Sequence, residues 1–456
     1  MKLIFMMTDT FRRDHIGAYG NKRIKTPNLD KLASISHVFD RHYTGSFPTG
    51  PNRLDMHYSR ATEETSINAW TAPAEGLVPL AARLRHKGVH TMMIDETANT
   101  IIRCKMTQGF DAWYFVRGQE GDPFWSDDTV PLEFPCPKEL IRYTPERWHQ
   151  ILVNRSRRRV EEDWFAPQTY KLGCEWIERN WKRDNFMLWI ETFDPHEPWD
   201  PPQWYIDMYD PGYKGRVFDA PLGGRYRNMG ITDREMRHTH ARYCGECSMV
   251  DTAVGRVMAT LEKVGIDKET AIVFTTDHGG FFGLEGDYGL ARKPHYLPAD
   301  WVLWMEGYDR KKMTHIFPLL PPLLRIPLFI HLPGQSAGKR YQQVTQPVDI
   351  APTVMDLFGV KAPKEFLGQS LLPVVSGKKK STRPYAFSGA SHGVRQATNK
   401  DWLYAIFTEG QRRPWLMNLK NYPKRYDDVS RENPEVCRKM RKALAGFDPL
   451  VANCRL

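Results

Sequence analysis

The chain has 456 residues, 41% of them hydrophobic and 26% charged, a balance that excludes a disordered or fibrous chain and leaves room for one large domain plus a smaller one. No stretch reaches the roughly 20 apolar residues of a membrane-spanning helix, so no membrane partner is expected. The formal net charge of +10 favours anionic ligands, but the basic residues are spread out apart from Arg155 to Arg159 and Lys378 to Lys380. Both runs read as solvated faces, and no nucleic-acid partner is expected.

The first element is an apolar run, Leu3 to Met7, read as a buried strand ending in Thr8-Asp9-Thr10. Lys2 precedes this run, no small-residue cleavage site follows it, and a cytoplasmic location is therefore expected. A helix is predicted near Asn28 to Ala33, and another around Leu77 to His86 before a strand from His90 to Ile94. Arg117 to Arg159 is rich in Pro, Asp and Trp, and Asp200 to Arg227 in Pro, Gly and Tyr. Loops of this length usually form functional walls or lids. Between them come a helix from Gln168 to Trp181 and a strand from Asn185 to Glu191. A long helix runs from about Asp233 to Val264, started by Thr232-Asp233. Strands at Ala271 to Thr275 and Ile326 to His331 come next. Strand-helix alternation of this kind predicts an α/β fold, a mostly parallel sheet sandwiched by helices.

After Val360 the texture changes. Pro363, Gly368, Pro373 and Gly377 mark a connector, and short strands are predicted at Tyr385 to Ser388, Gly393 to Thr398, Trp402 to Phe407 and Pro414 to Leu419, with a last helix at Pro434 to Ala445. The expected division is a catalytic domain over 1–362 and a small antiparallel α+β subdomain over 363–456. The seven cysteines are odd in number and irregularly spaced, which argues against a disulfide framework. Cys244 and Cys247 lie in the long helical pattern and read as ordinary buried thiols. His238 and His240 are two apart on that helix, do not share a face, and read as structural or solvated.

Two features carry chemistry. Asp277-His278-Gly279 follows one buried strand and Asp9 follows another. Two strand ends that each deliver an Asp can converge on one cation. Thr49-Gly50-Pro51-Asn52-Arg53, preceded by Ser46-Phe47-Pro48, can present a hydroxyl nucleophile with an Arg clamp one helical turn later.

Taken together these stretches resemble the sulfatase family of the alkaline phosphatase superfamily. Asp9 to Gly20 with Thr26-Pro27-Asn28-Leu29-Asp30 resembles the family's opening strand and first helix. Thr49 to Arg53 resembles its nucleophile motif, Cys-x-Pro-x-Arg. Asp194-Pro195-His196-Glu197-Pro198-Trp199 resembles its Pro-His-x-Pro loop, Asp277-His278-Gly279 its second metal motif, and Lys293 the basic residue after it. Val348 to Thr353 and Leu367 to Leu371 resemble its late helix and connector.

Three departures from the family pattern matter. Sulfatases oxidise the motif's Cys or Ser to formylglycine, and Thr49 cannot form that aldehyde. Ser46 opens an alternative frame that lacks the Arg, so Thr49 is preferred. The family's paired Asp at the first strand is Asp9-Thr10 here, so one carboxylate ligand is lost, and its Lys and His after the third strand are absent, with the stretch Ile94-Asp95-Glu96-Thr97-Ala98-Asn99 standing there instead.

The resemblance implies one divalent ion held by Asp9, Asp277 and His278, with Thr49 as a further ligand and Thr10 as a weak oxygen donor. Mn, Zn, Ca and Mg are the candidate ions, and a mixed Asp/His set favours Mn or Zn. Thr49 would be the nucleophile, with Arg53 acting in the reaction more than in the fold. His196 would be the general acid, and Lys293 would neutralise a non-bridging oxygen. Asp14 and His15 read as helix-start structure. The expected activity is hydrolysis of a small anionic ester. A phosphodiester, phosphonate or phosphate ester is favoured, because phosphorus accepts in-line attack by an alkoxide. A sulfatase working without formylglycine and a catalytically silent anion-binding relative are the alternatives. Self-association is compatible with all three.

Overall fold

A computed structural model of the chain describes residues 1–61, 72, 73, 75–223, 226–282, 318–390, 393–407, 413–424 and 427–447. Its thirteen described strands are β1 (Lys2–Thr8), β2 (His37–His42), β3 (Ser46–Phe47), β4 (His90–Asp95), β5 (Ala112–Phe115), β6 (Phe186–Glu191), β7 (Thr270–Thr276), β8 (Leu328–His331), β9 (Lys339–Thr345), β10 (Ala386–Ala390), β11 (Val394–Thr398), β12 (Trp402–Phe407) and β13 (Trp415–Asn418).

Eight of them form the main sheet in the order β5-β4-β6-β1-β7-β8-β2-β9. Every neighbouring pair is parallel except the two that involve β8. Strand β1 shows why the sheet is covered on both sides. Ile4 and Met6 join the core with Leu29, Leu32, Val250 and Val254. Leu3, Phe5 and Met7 join the other core with Leu54, Leu80, Leu84 and Val354. Alternate side chains of a strand point to opposite faces, so an unbroken apolar run marks a strand buried twice. The expected mostly parallel α/β sheet is therefore the observed one.

The second sheet has the order β13-β12-β11-β10-β3. Its four C-terminal strands are antiparallel, and the helix Pro434–Phe447 packs on them through Met440 and Leu444. The two-residue strand β3 joins the edge in parallel with β10. A segment that immediately precedes Thr49 is thus hydrogen-bonded to the C-terminal sheet. Strands β2 and β9 escape the sequence reading because they are polar, with alternating exposure in Lys339–Thr345. The expected irregular stretch from Arg117 to Arg159 contains a helix, Pro145–Arg155, capped by Thr144.

The strand register brings the acidic strand ends together. Met7 pairs with Thr275 and Thr8 with Thr276, so Asp9 and Asp277 leave the sheet side by side. Asp95 is level with Glu191 on β4 and β6. Four neighbouring parallel strands therefore each end in an acidic residue. No described helix is long and apolar enough to cross a membrane.

The helix Pro27–Ser34 is docked by Asp251 from the long helix Asp233–Val264. The Asp251 carboxylate accepts from the backbone N–H of Leu29 at 2.7 Å and of Asn28 at 3.2 Å. Asp251→Ala leaves buried helix-start donors without that acceptor. It should lower the unfolding free energy by about 2 kcal/mol, as read from chemical denaturation.

Candidate active site

Arg53 lies at the centre of the strand ends and is fully buried. It reaches that place from the helix Thr49–Tyr58, which starts directly after β3 and Pro48. Its Nε donates to Glu191 at 2.6 Å, its Nη1 donates to Asp277, and its Nη2 stands 3.2 Å from Asp9. Nη1 also donates to the Thr49 carbonyl at 3.1 Å. Burial works against the guanidinium charge, but Glu191, Asp277 and Asp9 outweigh it and hold its pKa well above the ordinary value. The expectation of an Arg acting in the reaction more than in the fold thus meets a different geometry, in which the fork is spent on three protein carboxylates.

Asp9, Asp277 and His278 come together, their ligand atoms all within 4.8 Å of one another. His278 Nδ1 lies 2.8 Å from the Gly279 carbonyl. That partner can only accept, so Nδ1 carries a proton, and Nε2 is the ring atom that faces Asp9 and Asp277. Gly279 is required by close approach, since a Cβ there would stand 1.9 Å from the Pro322 carbonyl.

Thr10 has φ 61°, a left-handed conformation that β-branched residues rarely adopt. In that conformation its hydroxyl donates to Asp9 at 2.6 Å and its backbone N–H to Asp277 at 3.1 Å. Its visible role is to orient the two carboxylates. Thr44 donates to the Asp277 carbonyl at 2.6 Å, and Asn52 donates to Thr44 at 2.7 Å. This chain of bonds ties the turn carrying Thr49 to the end of β7. Ser46 is consumed by structure, its N–H and hydroxyl bonding Asp55 at 2.6 and 2.7 Å. Thr49 itself is buried at the first position of its helix.

His196 follows β6, the strand next to β1. Its Nδ1 lies 2.6 Å from the Glu197 carbonyl and 3.3 Å from the Glu197 carboxylate, and its ring stacks on Phe193 at 4.1 Å. Phe193 also lines a cavity of about 550 Å³ with Thr97, Gln119, Arg142, Tyr143 and Arg147. The long stretch after Arg117 supplies most of this wall, as expected for such loops. Lys293 lies outside the described residues.

The sequence reading missed Glu191, although it ends a predicted strand just as Asp9 does. The same signal marks Asp95 and Glu96. Burial, and then the charge of Glu191, pushes the Asp95 carboxyl well up. Burial and then Asp194 do the same for Glu96. Glu96 accepts from Thr169 at 2.5 Å and from the Phe193 N–H at 2.7 Å, so it is built into the wall.

This geometry agrees with the chain's likeness to known proteins. The sulfatase family model matches residues 2–360. The chain belongs to the sulfatase family. A second model, the C-terminal region of N-sulphoglucosamine sulphohydrolase, matches residues 317–446. Among sulfatase-family relatives, an arylsulfatase of Clostridium perfringens is 24% identical over 97% of this chain and 93% of its own length. The multifunctional alkaline phosphatase superfamily protein PehA of Trinickia caryophylli is 25% identical over 83% of this chain and 78% of its own length. The crystal structure of the phosphonate monoester hydrolase of Agrobacterium radiobacter superposes with a TM-score of 0.74 at 17% identity, over 99% of this chain and 96% of that one. The chain is accordingly a sulfatase-family ester hydrolase.

The family implies a divalent metal ion, and the residues present fit one. Two carboxylates and an imidazole whose Nε2 faces them form a mixed O/N donor set. Asp9, Asp277 and Glu191 together carry more formal negative charge than the Arg53 guanidinium neutralises, and a divalent cation suits that excess.

The buried charges can be probed through stability. Arg53→Met strips the cation from three buried carboxylates and should cost about 3–5 kcal/mol of stability in the metal-free protein, measured by denaturant unfolding. Asp194 is pushed up to about 7, by burial first and then by the charge of Asp200. A carboxyl with its folded pKa above its unfolded value of about 3.9 contributes stability that is fully present below about pH 4 and lost as pH rises through about 7. Melting temperatures of Asp194→Asn relative to the parent should therefore rise progressively across that window.

Proposed function

We propose that the chain hydrolyses a monoanionic phosphorus ester, a phosphodiester or a phosphonate monoester, with Thr49 as nucleophile. The observation that carries this reading is a threonine at the family's nucleophile position. It opens the helix Thr49–Tyr58, and its carbonyl is held by the same Arg53 that contacts Asp9 and Asp277. A formylglycine hydrate can release sulfate by returning to the aldehyde. A threonine ester has no such exit, and water must displace it at the central atom, which phosphorus accepts.

The acids beside the site support the same choice. The stretch Ile94 to Asn99, which stands where the family carries a Lys and a His, includes Asp95 and Glu96, both buried. Both carboxyls are pushed well up by burial, so they add no cation for a second negative charge, and a monoanionic diester suits the site better than a dianionic phosphate monoester. The relatives span an arylsulfatase and a multifunctional superfamily protein, and one similar fold is a phosphonate monoester hydrolase.

Each residue of the site has a part in the reaction. Asp9, Asp277 and His278 would hold the metal ion, which when bound supplies Lewis-acid charge to the reacting oxygens. The backbone N–H groups at the start of the Thr49 helix favour the ester's negative charge. Thr49 Oγ gives up its proton to solvent water and forms a bond to phosphorus as the bond to the alcohol oxygen breaks. His196 Nε2 gives a proton to the departing oxygen, with Nδ1 held by the Glu197 carbonyl. In the second step His196 takes a proton from water, the water oxygen bonds to phosphorus as the Thr49 Oγ–phosphorus bond breaks, and Thr49 Oγ regains its proton from solvent water. The cavity beside Phe193 would receive the alcohol portion, offering Tyr143 and Arg147 to a polar or aromatic group.

A sulfatase acting without formylglycine is the second reading, favoured by the arylsulfatase relative. Matched phosphodiester, phosphonate and sulfate esters of one phenol separate the two. The phosphorus esters should turn over faster, Thr49→Ala should lower turnover by about a thousandfold or more, and Thr49→Ser should keep part of it. Mass spectrometry of the active protein should show unmodified threonine at position 49. A faster sulfate ester overturns the phosphorus assignment, and a fully active Thr49→Ala overturns the nucleophile.

A further inference from the structure

A second cluster of ligand-type side chains lies on the far side of the turn after β1. His15 comes from the short helical turn Arg13–His15, and His240 and Cys244 come from the helix Asp233–Val264. His240 and Cys244 are four residues apart and so share a helix face one turn from each other. The ring of His15 meets them there, although the sequence reading took His240 for a structural or solvated residue. His15 Nε2 and His240 Nε2 stand 2.7 Å apart. Cys244 Sγ is 3.7 Å from His240 Nε2 and 3.9 Å from its Nδ1. All three ligand atoms lie within 4.8 Å of one another.

We propose that His15, His240 and Cys244 form a second metal site, distinct from the Asp9, Asp277 and His278 group, and that it takes a borderline-soft divalent ion of the Zn2+ type.

Three features support this. The first is spacing. Ligands held at roughly 2.0–2.3 Å from a tetrahedral ion stand about 3.3–3.6 Å apart. The sulfur–nitrogen distance is already close to this, and the two imidazole nitrogens need to part by only a fraction of an ångström. The second is orientation. His15 Nδ1 lies 2.9 Å from the Asp14 carboxylate, which fixes the proton on Nδ1 and points the Nε2 lone pair at the cluster. A carboxylate behind a histidine is the usual outer partner of a metal-binding imidazole. Asp14 is itself held by Arg12 through Nε at 2.9 Å and Nη2 at 2.7 Å. The third is donor type. One thiol and two imidazoles are softer than the carboxylate-rich group beside Arg53, so the two sites select different ions.

Burial is consistent with such a site. His15 and Cys244 are buried, and His240 is partly exposed and offers a way in. Phe282 and Tyr243 pack around the histidine rings. Burial pushes the Cys244 thiol up to about 12, so the thiol proton leaves only when an ion replaces it. His240 keeps one ring proton, moved to Nδ1.

Cobalt titration of the whole chain tests the site independently of any activity. Protein stripped with a chelator and titrated with Co2+ should develop a thiolate-to-cobalt charge-transfer absorption in the near ultraviolet. The Asp9, Asp277 and His278 group has no sulfur and cannot give that band. The band should vanish in Cys244→Ser and persist in Cys247→Ser and in Asp277→Asn, with circular dichroism showing each protein folded. If Cys244→Ser does not fold, His240→Gln is read in its place and should lose the band or require at least about tenfold more cobalt. A folded wild-type protein without the band, or a band that survives Cys244→Ser, overturns the assignment.

Discussion

Three buried carboxylates around one guanidinium impose the central constraint on this protein. Asp9, Glu191 and Asp277 end three adjacent parallel strands, and Arg53 binds all three. Moving those charges out of water is expensive, and only close pairing with good geometry offsets the cost. The sheet supplies the geometry. Because β1 is in register with β7, Asp9 and Asp277 emerge at one level, while Glu191 stands level with Met7, two residues earlier on the neighbouring strand. The helix Thr49–Tyr58 is then placed by its own Arg53, and Thr49 is placed with it because it begins that helix. The β3–β10 pairing, the Asp55 bonds to Ser46 and the Asn52–Thr44–Asp277 chain of bonds hold the same segment from other directions.

Much of this was legible in the sequence, for local physical reasons. The helix Asp233–Val264 is legible from its Thr232-Asp233 start, and the structure adds a capping box of Thr232 with Glu235 and a left-handed Gly265 at its end. Strands β1 and β7 were legible because both faces are buried and both runs are apolar. Asp9, Asp277 and His278 were legible as residues at the ends of such strands. What escaped was of two kinds. Polar strands such as Lys339–Thr345 lack the hydrophobic signal, since their stability comes from pairing at a sheet edge. Groups assembled across long separations, such as Glu191 with Arg53 or His15 with His240, have no local pattern, because only the tertiary fold brings them together.

The acidic residues around the site bear on chemistry as much as on stability. Asp95, Glu96 and Asp194 all have carboxyls pushed upwards, with burial the first cause in each. Burial in a low-dielectric wall drives these carboxyls towards the neutral form.

The two ligand clusters are mechanically joined through the turn from Asp9 to His15. Tyr243 donates its hydroxyl to the Thr10 carbonyl at 2.9 Å and accepts from the Arg12 N–H at 2.8 Å. It lies one residue before Cys244 on the same helix. Thr10 in its left-handed conformation in turn orients Asp9 and Asp277. A strained residue persists only where its surroundings over-determine it, and here the helix that carries His240 and Cys244 supplies that determination. An ion that draws His15 towards His240 and Cys244 would brace the same turn from behind. Its effect on the reaction site would be exerted through the position of Thr10, without contact with substrate.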